Sequence, residues 1–319
     1  MDFLQLPFFE KIKDSKTILL AGAGGGYDIF TGLPLYFGLK GLGKTVYLAN
    51  LSFATIYASN GKRLAPGLVE INHDTKGHLE YFPELHLVRW LKEQGEETPI
   101  YCFDRTGVIP LFKAYSYLNE TLALDSIILI DGGTDSLMRG DEPGLGTPHE
   151  DIASIAAVNS IDVATKLLVC LGFGVDAFHG VCHAYFLEAV AELIQKKAFL
   201  GAWTLTQEMP EVKRYREACD YVFNRMRNNP SIVNASILSA IEGQFGNHHA
   251  TYRTEGNELF INTLMSLYWC FELRPVAERI LYLDNLYGTS TVSDIDLVIK
   301  LFRGGLKKSE MREWVNLPM

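Results

Sequence analysis

The sequence has few cysteines, and they do not form a short paired motif. Among its 319 residues are five cysteines: Cys102, Cys170, Cys182, Cys219 and Cys270. The number is odd, no Cys-X-X-Cys segment occurs, and most of the five lie in apolar runs, which argues against a disulfide framework and a zinc ribbon. We therefore expect reduced core thiols in a cytoplasmic protein.

A long apolar run and an excess of basic residues are also missing. No uninterrupted apolar stretch reaches the ~18 residues typical of a membrane span, so we expect no membrane partner. Lys and Arg number 29 against 38 Asp and Glu, a net charge of −9. Because nucleic acids attract basic proteins, this balance disfavours a nucleic-acid partner. A small-molecule ligand is the expected partner, and a homo-oligomer is left open.

Several short apolar runs each end in glycine or a polar residue. They cover residues 17–21, 45–49, 99–103, 126–130 and 166–171. They are apolar throughout, as in parallel strands that are covered on both faces. The segments between them have helical periodicity at residues 84–94, 108–122, 152–158 and 177–195. This alternation predicts an α/β fold with a doubly wound, mostly parallel, Rossmann-like sheet.

The pattern changes after Thr206. Helices are predicted at residues 211–228, 231–242, 257–273 and 294–302, with one more strand at 280–284. Aromatic residues in the third of these helices, Tyr268, Trp269 and Phe271, are assigned to the core or to contacts between copies. No linker or repeat divides the chain. We expect a Rossmann-like ligand-binding core over residues 1–206 and a mainly helical extension over residues 207–319, packed on the same unit.

Four glycines follow the first predicted strand: Gly22, Gly24, Gly25 and Gly26. Glycines at this point allow a tight turn and bring N–H groups close to a ligand, so we expect them to hold phosphate or ribose. A tight turn without a ligand is the alternative. The dinucleotide fingerprint is incomplete, because Tyr27 takes its third glycine position and the second strand ends at Asn50 instead of an acid. Asn50 is kept as a ligand-binding candidate, and NAD-dependent chemistry is disfavoured.

Acidic residues follow the ends of several predicted strands: Asp28, Asp104, Asp131 and Asp176. Ligands of open α/β sheets bind at these ends, so we expect the four carboxylates to converge on a ligand. Their repulsion would need relief from a cation, from a polyhydroxyl ligand or from raised pKa values. For Asp28, a role as a helix cap is the alternative.

A glycine-rich loop follows Asp131 and carries Gly132, Gly133 and Asp135. We expect Asp28, Asp131 and Asp135 to hold Mg²⁺ or another divalent ion, and Asp131 and Asp135 to take part in catalysis. The glycines of this loop and of the later turn, Gly172 and Gly174, are expected to contact the ligand. Thr147 and Pro148 at the end of the loop are expected to cap and begin a helix.

Two histidines follow Asp176 at a spacing of four residues, His179 and His183. On one continuous helix they would share a face, where they could bind a metal or act as acid and base. We take His179 as a candidate general base, with packed or solvent-facing histidines as the alternative. His248 and His249 lie in a predicted loop that is a candidate lid or substrate loop, but a histidine pair in a loop assigns no role by itself.

Three motifs resemble those of one protein family. They are the glycine segment that ends at Asp28, the Asp-Gly-Gly-Thr-Asp segment at 131–135, and the segment Arg-Gly-Asp-Glu-Pro-Gly-Leu-Gly-Thr-Pro-X-X-Asp at 139–151. Together with the turn at 172–176 they resemble the prokaryotic domain of unknown function 1152 family. The sequence departs from that pattern at Thr134, which is inserted before Asp135, and at Thr147, where the family commonly has serine. The resemblance implies an α/β protein with a ligand site and no assigned activity.

These features predict an enzyme that acts in the crevice at the strand ends. The expected reaction is hydrolysis or group transfer on a nucleotide-like or phosphorylated small metabolite. A non-catalytic sensor that binds such a ligand in the same crevice is one alternative. An NAD-dependent oxidoreductase is the other.

Overall fold

A nine-stranded sheet forms the centre of the protein. The structure is a computed structural model and describes residues 6–257 and 259–317. Its strands are β1 (Thr17–Gly22), β2 (Thr45–Leu51), β3 (Lys62–Ala65), β4 (Leu68–Ile71), β5 (Ile100–Phe103), β6 (Ser126–Asp131), β7 (Thr165–Leu171), β8 (Phe199–Thr204), β9 (Gly246–Asn247), β10 (Phe260–Ile261) and β11 (Leu267–Glu272). Strands β9 and β10 form a separate ribbon, and the others form the sheet.

Helices cover both faces of this sheet. They are α1 (Pro7–Lys11), α2 (Asp28–Thr31), α3 (Leu33–Gly41), α4 (Pro83–Glu93), α5 (Val108–Leu122), α6 (Pro148–Asn159), α7 (His183–Gln195), α8 (Pro210–Arg225), α9 (Ile232–Ile241), α10 (Leu273–Ala277), α11 (Leu283–Leu286) and α12 (Val292–Gly305). The helices predicted at 84–94, 108–122, 152–158, 211–228, 231–242 and 294–302 correspond to α4, α5, α6, α8, α9 and α12. None of the helices in the described part of the chain is long and apolar enough to cross a bilayer.

Alternate residues of each central strand enter two separate cores. In β1, Leu19 belongs to the core that contains residues of α5, α6, α7, α10 and α12, whereas Leu20 belongs to the core that contains residues of α1, α2, α3, α4, α8 and α9. Both leucines are fully buried. This two-sided burial explains why the strands are apolar throughout instead of alternating with polar residues.

The strand order places a topological switch point beside β1. The order is β3-β4-β5-β2-β1-β6-β7-β11-β8, and the five strands from β5 to β7 are parallel. The chain passes from β1 to β2 on one side, while β6 pairs with β1 on the other. The predicted doubly wound, mostly parallel α/β fold is confirmed, and a crevice is expected between the carboxyl ends of β1 and β6.

Strand β11 corrects the helix that was predicted at residues 257–273. Leu267–Glu272 lies antiparallel between β7 and β8, with Tyr268 opposite Leu171 and Trp203. Aromatic residues favour strands, and a short apolar run does not distinguish a strand from a helix by its periodicity. The C-terminal part of the chain therefore contributes a strand to the central sheet as well as helices on both faces.

The strand predicted at residues 280–284 is also wrong. This segment is a turn that leads into α11, and the Leu281 N–H donates to the carbonyl of Arg139 at 3.0 Å. Ile280 and Tyr282 are buried because they close the core beneath α12. Their apolar character comes from this packing and not from pairing in a sheet.

Candidate functional site

Three aspartates meet at the switch point between β1 and β6. Asp131 is the last residue of β6, Asp28 begins α2 just after β1, and Asp151 lies in the first turn of α6. A carboxylate oxygen from each lies within 4.8 Å of one from each of the others. Oxygens bound at roughly 2.0–2.6 Å to a single Mg²⁺ or Ca²⁺ ion are separated by a comparable distance.

Two of these carboxylates are shielded from water, and none has a basic partner in the described part of the chain. Asp131 and Asp151 are 2% and 3% exposed, and Asp28 is partly exposed. No ion pair within residues 6–257 and 259–317 includes any of the three. The Oδ1 atom of Asp151 is buried and has no hydrogen-bond partner there. Because an unpartnered buried carboxylate is costly, this arrangement favours a bound cation.

Hydrogen bonds hold the carboxylates of Asp28 and Asp131 in place and connect α6 to the loop after β1. The Gly24 N–H donates to Asp28 Oδ2 at 2.6 Å, and the hydroxyl of Ser136 donates to Asp131 Oδ2. The hydroxyl of Ser154 donates to the carbonyl of Ala23 at 2.8 Å. This last bond ties α6, and with it Asp151, to the loop after β1.

Two further buried aspartates, Asp135 and Asp176, hold the surrounding loops. Asp135 Oδ2 accepts a hydrogen bond from the Thr147 N–H at 2.8 Å, and Asp176 Oδ2 accepts one from the Thr134 N–H at 2.6 Å. Thr147 occupies the predicted N-cap position of α6, but its hydroxyl makes no capping bond. The structure thus groups Asp151, and not Asp135, with the two aspartates at the ends of β1 and β6.

Burial raises the pKa of all five aspartates, Asp28, Asp131, Asp135, Asp151 and Asp176. The negative charge of Asp135 raises the pKa of the other four further. The hydrogen bond from Gly24 partly offsets the effect of burial on the pKa of Asp28. Buried like charges of this kind are stabilised by protons or by a bound cation.

The glycines after β1 make room for these carboxylates. A Cβ atom on Gly24 would lie 2.6 Å from Asp151 Oδ2 and 2.8 Å from Asp28 Oδ2. Gly25 and Gly26 have φ values of 91° and 61°, which residues with a Cβ atom rarely adopt. The local glycine content is therefore explained by close packing and by backbone conformation.

Most N–H groups of this loop have acceptors within the chain. The Gly24 N–H donates to Asp28, and those of Ala23 and Gly26 donate to carbonyls of β6 and β2 at 2.8 and 3.1 Å. Helix α2, which follows, has four residues. These three N–H groups are therefore engaged and not directed at a phosphate.

Asn50 supports the loop from the end of β2. Its Nδ2 donates to the Gly26 carbonyl at 2.9 Å and to Glu84 Oε1 at 2.7 Å. Both Asn50 and Glu84 are fully buried. Burial raises the pKa of Glu84 to about 7. Asn50 thus links a buried acid to the glycine loop.

The glycines after β6 also lie against carboxylates. A Cβ atom on Gly132 would lie 2.7 Å from Asp28 Oδ1, and one on Gly133 would lie 2.5 Å from Asp176 Oδ2. The three motifs found in the sequence therefore come together, because each contributes either a carboxylate or the space that a carboxylate needs.

Asp104 does not join this cluster. It is half-buried and accepts a hydrogen bond from the Arg105 N–H at 3.0 Å, while the Arg105 side chain pairs with Glu150 at 2.6 Å. Strands lie about 4.8 Å apart, so β5 is roughly 10 Å from β1. The expected convergence of four carboxylates therefore holds for Asp28 and Asp131, with Asp176 beside them on the β6 side of β1, and not for Asp104 on the opposite side.

The predicted continuous helix over residues 177–195 is wrong. A short 3-10 helix, Val175–His179, ends at Gly180 with φ 84°, and α7 begins at His183. The two histidines therefore do not share a helix face. A ring nitrogen of His183 lies 3.3 Å from the carbonyl of Gly174, whereas His179 is exposed. Gly172 and Gly174 have φ values of 110° and 92° and form the turn after β7.

A cleft of about 470 Å³ leads outward from Asp28. Its floor is the loop that contains Gly25, Gly26 and Tyr27. Its walls are formed by Phe53, Tyr81, His179, Asn229, Arg253 and residues 231–234 at the start of α9. One of the three carboxylates, Asp28, therefore borders a ligand-sized space that is open to solvent.

The model of one protein family, described as "Protein of unknown function (DUF1152)", matches residues 60–300. The chain belongs to the DUF1152 family. This match confirms the family that the sequence motifs resemble. It covers Asp131, Asp135, Asp151 and Asp176 but not the glycine loop. No match was found among curated proteins or among solved structures.

Sequence reasoning missed three residues of this DUF1152 protein that the structure places at the site: Asp151, Glu84 and Arg253. Asp151 is the final residue of the third motif and lies in the first turn of a helix that begins at Pro148, so the motif itself carried the signal. No sequence pattern distinguishes Glu84 or Arg253 from other charged residues. Both depend on tertiary packing between distant segments.

Proposed function

We propose that this DUF1152 protein binds a divalent ion, such as Mg²⁺ or Mn²⁺, on Asp28, Asp131 and Asp151. The proposal rests on three carboxylates whose oxygens lie within 4.8 Å of one another and which form no ion pair within residues 6–257 and 259–317. Hard oxygen ligands suit these ions. Asp151 takes the ligand position that the sequence suggested for Asp135.

The ion would hold a phosphate group of a nucleotide-like or phosphorylated small metabolite in the adjoining cleft. A divalent ion neutralises charge on phosphate oxygens and orients the group for attack. Asp28 lines the cleft, so a ligand in the cleft can contact an ion held by this carboxylate. Hydrolysis or transfer of the phosphate group is the reaction that this arrangement supports best.

In hydrolysis, the oxygen of a water molecule forms a bond to phosphorus, and the bond from phosphorus to the leaving oxygen breaks. A general base takes the proton of the water, and the leaving oxygen receives a proton from solvent. His179 and Asp135 are the candidate bases. His179 lines the cleft and lies close enough to Asp135 for an electrostatic interaction between the two side chains. In group transfer, a hydroxyl of an acceptor takes the place of the water.

NAD-dependent chemistry is less well supported. In dinucleotide-binding proteins an acid at the end of the second strand holds the ribose, and loop N–H groups face the pyrophosphate. Here Asn50 is engaged by Gly26 and Glu84, and the N–H groups of Ala23, Gly24 and Gly26 have acceptors within the chain.

A thermal-shift panel tests the proposal. Nucleotides, sugar phosphates and NAD are each added with and without Mg²⁺, and phosphate release is followed in parallel. A ligand at 100 times its Kd adds about 2.7 kcal/mol to the free energy of unfolding. We expect stabilisation that requires the metal ion and is lost in Asp131→Asn, together with phosphate release. Binding without turnover would favour the sensor, and stabilisation by NAD without a metal would contradict the proposal.

A further inference from the structure

Arg253 lies in the cleft without an acidic partner. It belongs to the 3-10 turn Tyr252–Thr254 and lines the same cleft as Asp28. Its Nη1 donates to the carbonyl of Pro230 at 2.8 Å, and no carboxylate in residues 6–257 and 259–317 forms an ion pair with it. The side chain is exposed, so its other N–H groups are available to a ligand.

The start of α9 adds donors to the same wall. Ser231 caps this ten-residue helix by accepting a hydrogen bond from the Asn234 N–H. The N–H groups of Ile232 and Val233 belong to the first turn, where no helical acceptor exists, and both residues line the cleft. A helix N-terminus carries partial positive charge, so this wall and Arg253 both attract anions.

The cleft is therefore lined by groups of both charges. Asp28, with Asp131 and Asp151 close to it, lines the cleft together with Arg253 and the start of α9. Tyr27 and Tyr81 line the space near the glycine loop, and the Tyr27 hydroxyl donates to the Asn229 carbonyl at 2.9 Å. A ligand with a single phosphate at a metal ion would leave the basic wall without a partner.

We propose that Arg253 and the first turn of α9 bind a second anionic group of the ligand. The substrate class is then a phosphorylated metabolite that carries a further phosphate or carboxylate at a distance from the reacting phosphate. This inference rests on the proposed function, since the first phosphate is placed by the divalent ion. Arg253 is a specificity-determining residue in this account and takes no part in the reaction itself.

Matched pairs of probes test the inference with the full chain and Mn²⁺. The pairs are fructose 6-phosphate with fructose 1,6-bisphosphate, glycerol 3-phosphate with 3-phosphoglycerate, and AMP with adenosine 3′,5′-bisphosphate. A charge-assisted hydrogen bond corresponds to about tenfold or more in affinity, so we expect that preference for the doubly anionic member of at least one pair. Arg253→Gln should remove most of the preference without changing Mn²⁺ binding, and Arg253→Lys should retain part of it.

Arg227→Gln is the matched control. Arg227 is exposed, lies near the same segment and lines a different surface groove, so its removal lowers the net charge equally. The inference is overturned if both members of every pair bind alike, if neither binds, or if Arg253→Gln and Arg227→Gln have the same effect. Failure of Mn²⁺ to bind the wild-type chain would instead contradict the proposed function, and a preference that persists without Mn²⁺ would support the Arg253 site alone.

Discussion

Asp28 and Asp151 approach each other across Gly24, which lies within contact distance of both carboxylates. Asp28 follows β1 and Asp151 belongs to α6, so the two residues come from distant parts of the chain. A Cβ atom at position 24 would lie less than 3 Å from oxygens of each. The absence of a side chain at this position therefore allows the cluster to form.

Gly24→Ala should separate these carboxylates. The added methyl group would lie 2.6 Å from Asp151 Oδ2, so the carboxylates of Asp151 and Asp28 must rotate away or the loop or α6 must move. We expect at least about a tenfold loss of Mn²⁺ affinity, because a metal site tolerates little displacement of its ligands. Titration calorimetry with Mn²⁺ measures this effect.

Gly38→Ala is the control for this variant. Gly38 lies in α3, and a Cβ atom there would meet nothing within 4 Å. Alanine should stabilise this helix by up to about 1 kcal/mol and leave Mn²⁺ affinity unchanged. Equal Mn²⁺ affinity in Gly24→Ala and Gly38→Ala would show that the carboxylates do not act together.

The sequence was sufficient to predict the glycine loop and the acids at the strand ends. Parallel strands present their carboxyl ends at one edge, so the positions of Asp28, Asp131 and Asp176 after apolar runs were enough to place them near one another. Asp104 was misplaced because the order of the strands depends on long-range pairing. Asp151 was overlooked although it ends the third motif, because the periodicity of α6 does not show in which direction the helix crosses the sheet.

Buried Glu84 should make the protein less stable as the pH rises. Its pKa is about 7 in the folded protein, against an ordinary value of 4.5. Folding therefore favours the neutral carboxyl group. Its contribution to the free energy of unfolding is complete below pH 4.5 and is lost as the pH rises through about 7. The groups around it, Asn50, Tyr81 and Cys102, carry no compensating positive charge.

Glu84→Gln keeps an oxygen that can accept from Asn50 and removes the ionisation. The free energy of unfolding of wild type minus that of Glu84→Gln should fall by about 3 kcal/mol between pH 4.5 and pH 8. Urea unfolding across this range measures the difference. The exposed residue Glu80 provides a control, since Glu80→Gln should show no such trend. A difference that stays constant with pH would mean that Glu84 is ionised at little cost.

Strand β11 can be tested through Phe271. This side chain is fully buried between the sheet and its covering helices. Phe271→Ala should lower the free energy of unfolding by about 3–5 kcal/mol. Phe245→Ala, at a position that is 71% exposed, should change it by less than about 0.5 kcal/mol. Similar effects of the two substitutions in urea unfolding would argue against a strand at residues 267–272.

The error at β11 has a physical origin. The five parallel strands could be recognised because an apolar run led into a glycine or polar turn and a helical pattern, whereas β3, β4 and β8, which pair antiparallel, were not predicted. Leu267–Glu272 likewise enters the sheet antiparallel and from a loop. The broken helix at Gly180 has a similar explanation. Its left-handed conformation ends the 3-10 turn, and a single glycine within a helical pattern does not reveal whether the helix continues.

Binding of Mn²⁺ to wild type and to Asp151→Asn, measured by titration calorimetry, tests the central claim most directly. Asp162→Asn, at an exposed position, provides the matched control. Wild type and Asp162→Asn should each bind one ion per chain at the three-carboxylate cluster. Asp151→Asn should bind it at least about 100-fold more weakly. Loss of a residue that only hydrogen-bonds to a metal ligand lowers metal affinity by about 10–100-fold, and loss of the ligand itself should lower it at least as much. Absence of binding to wild type, or equal affinity in all three proteins, would contradict the account.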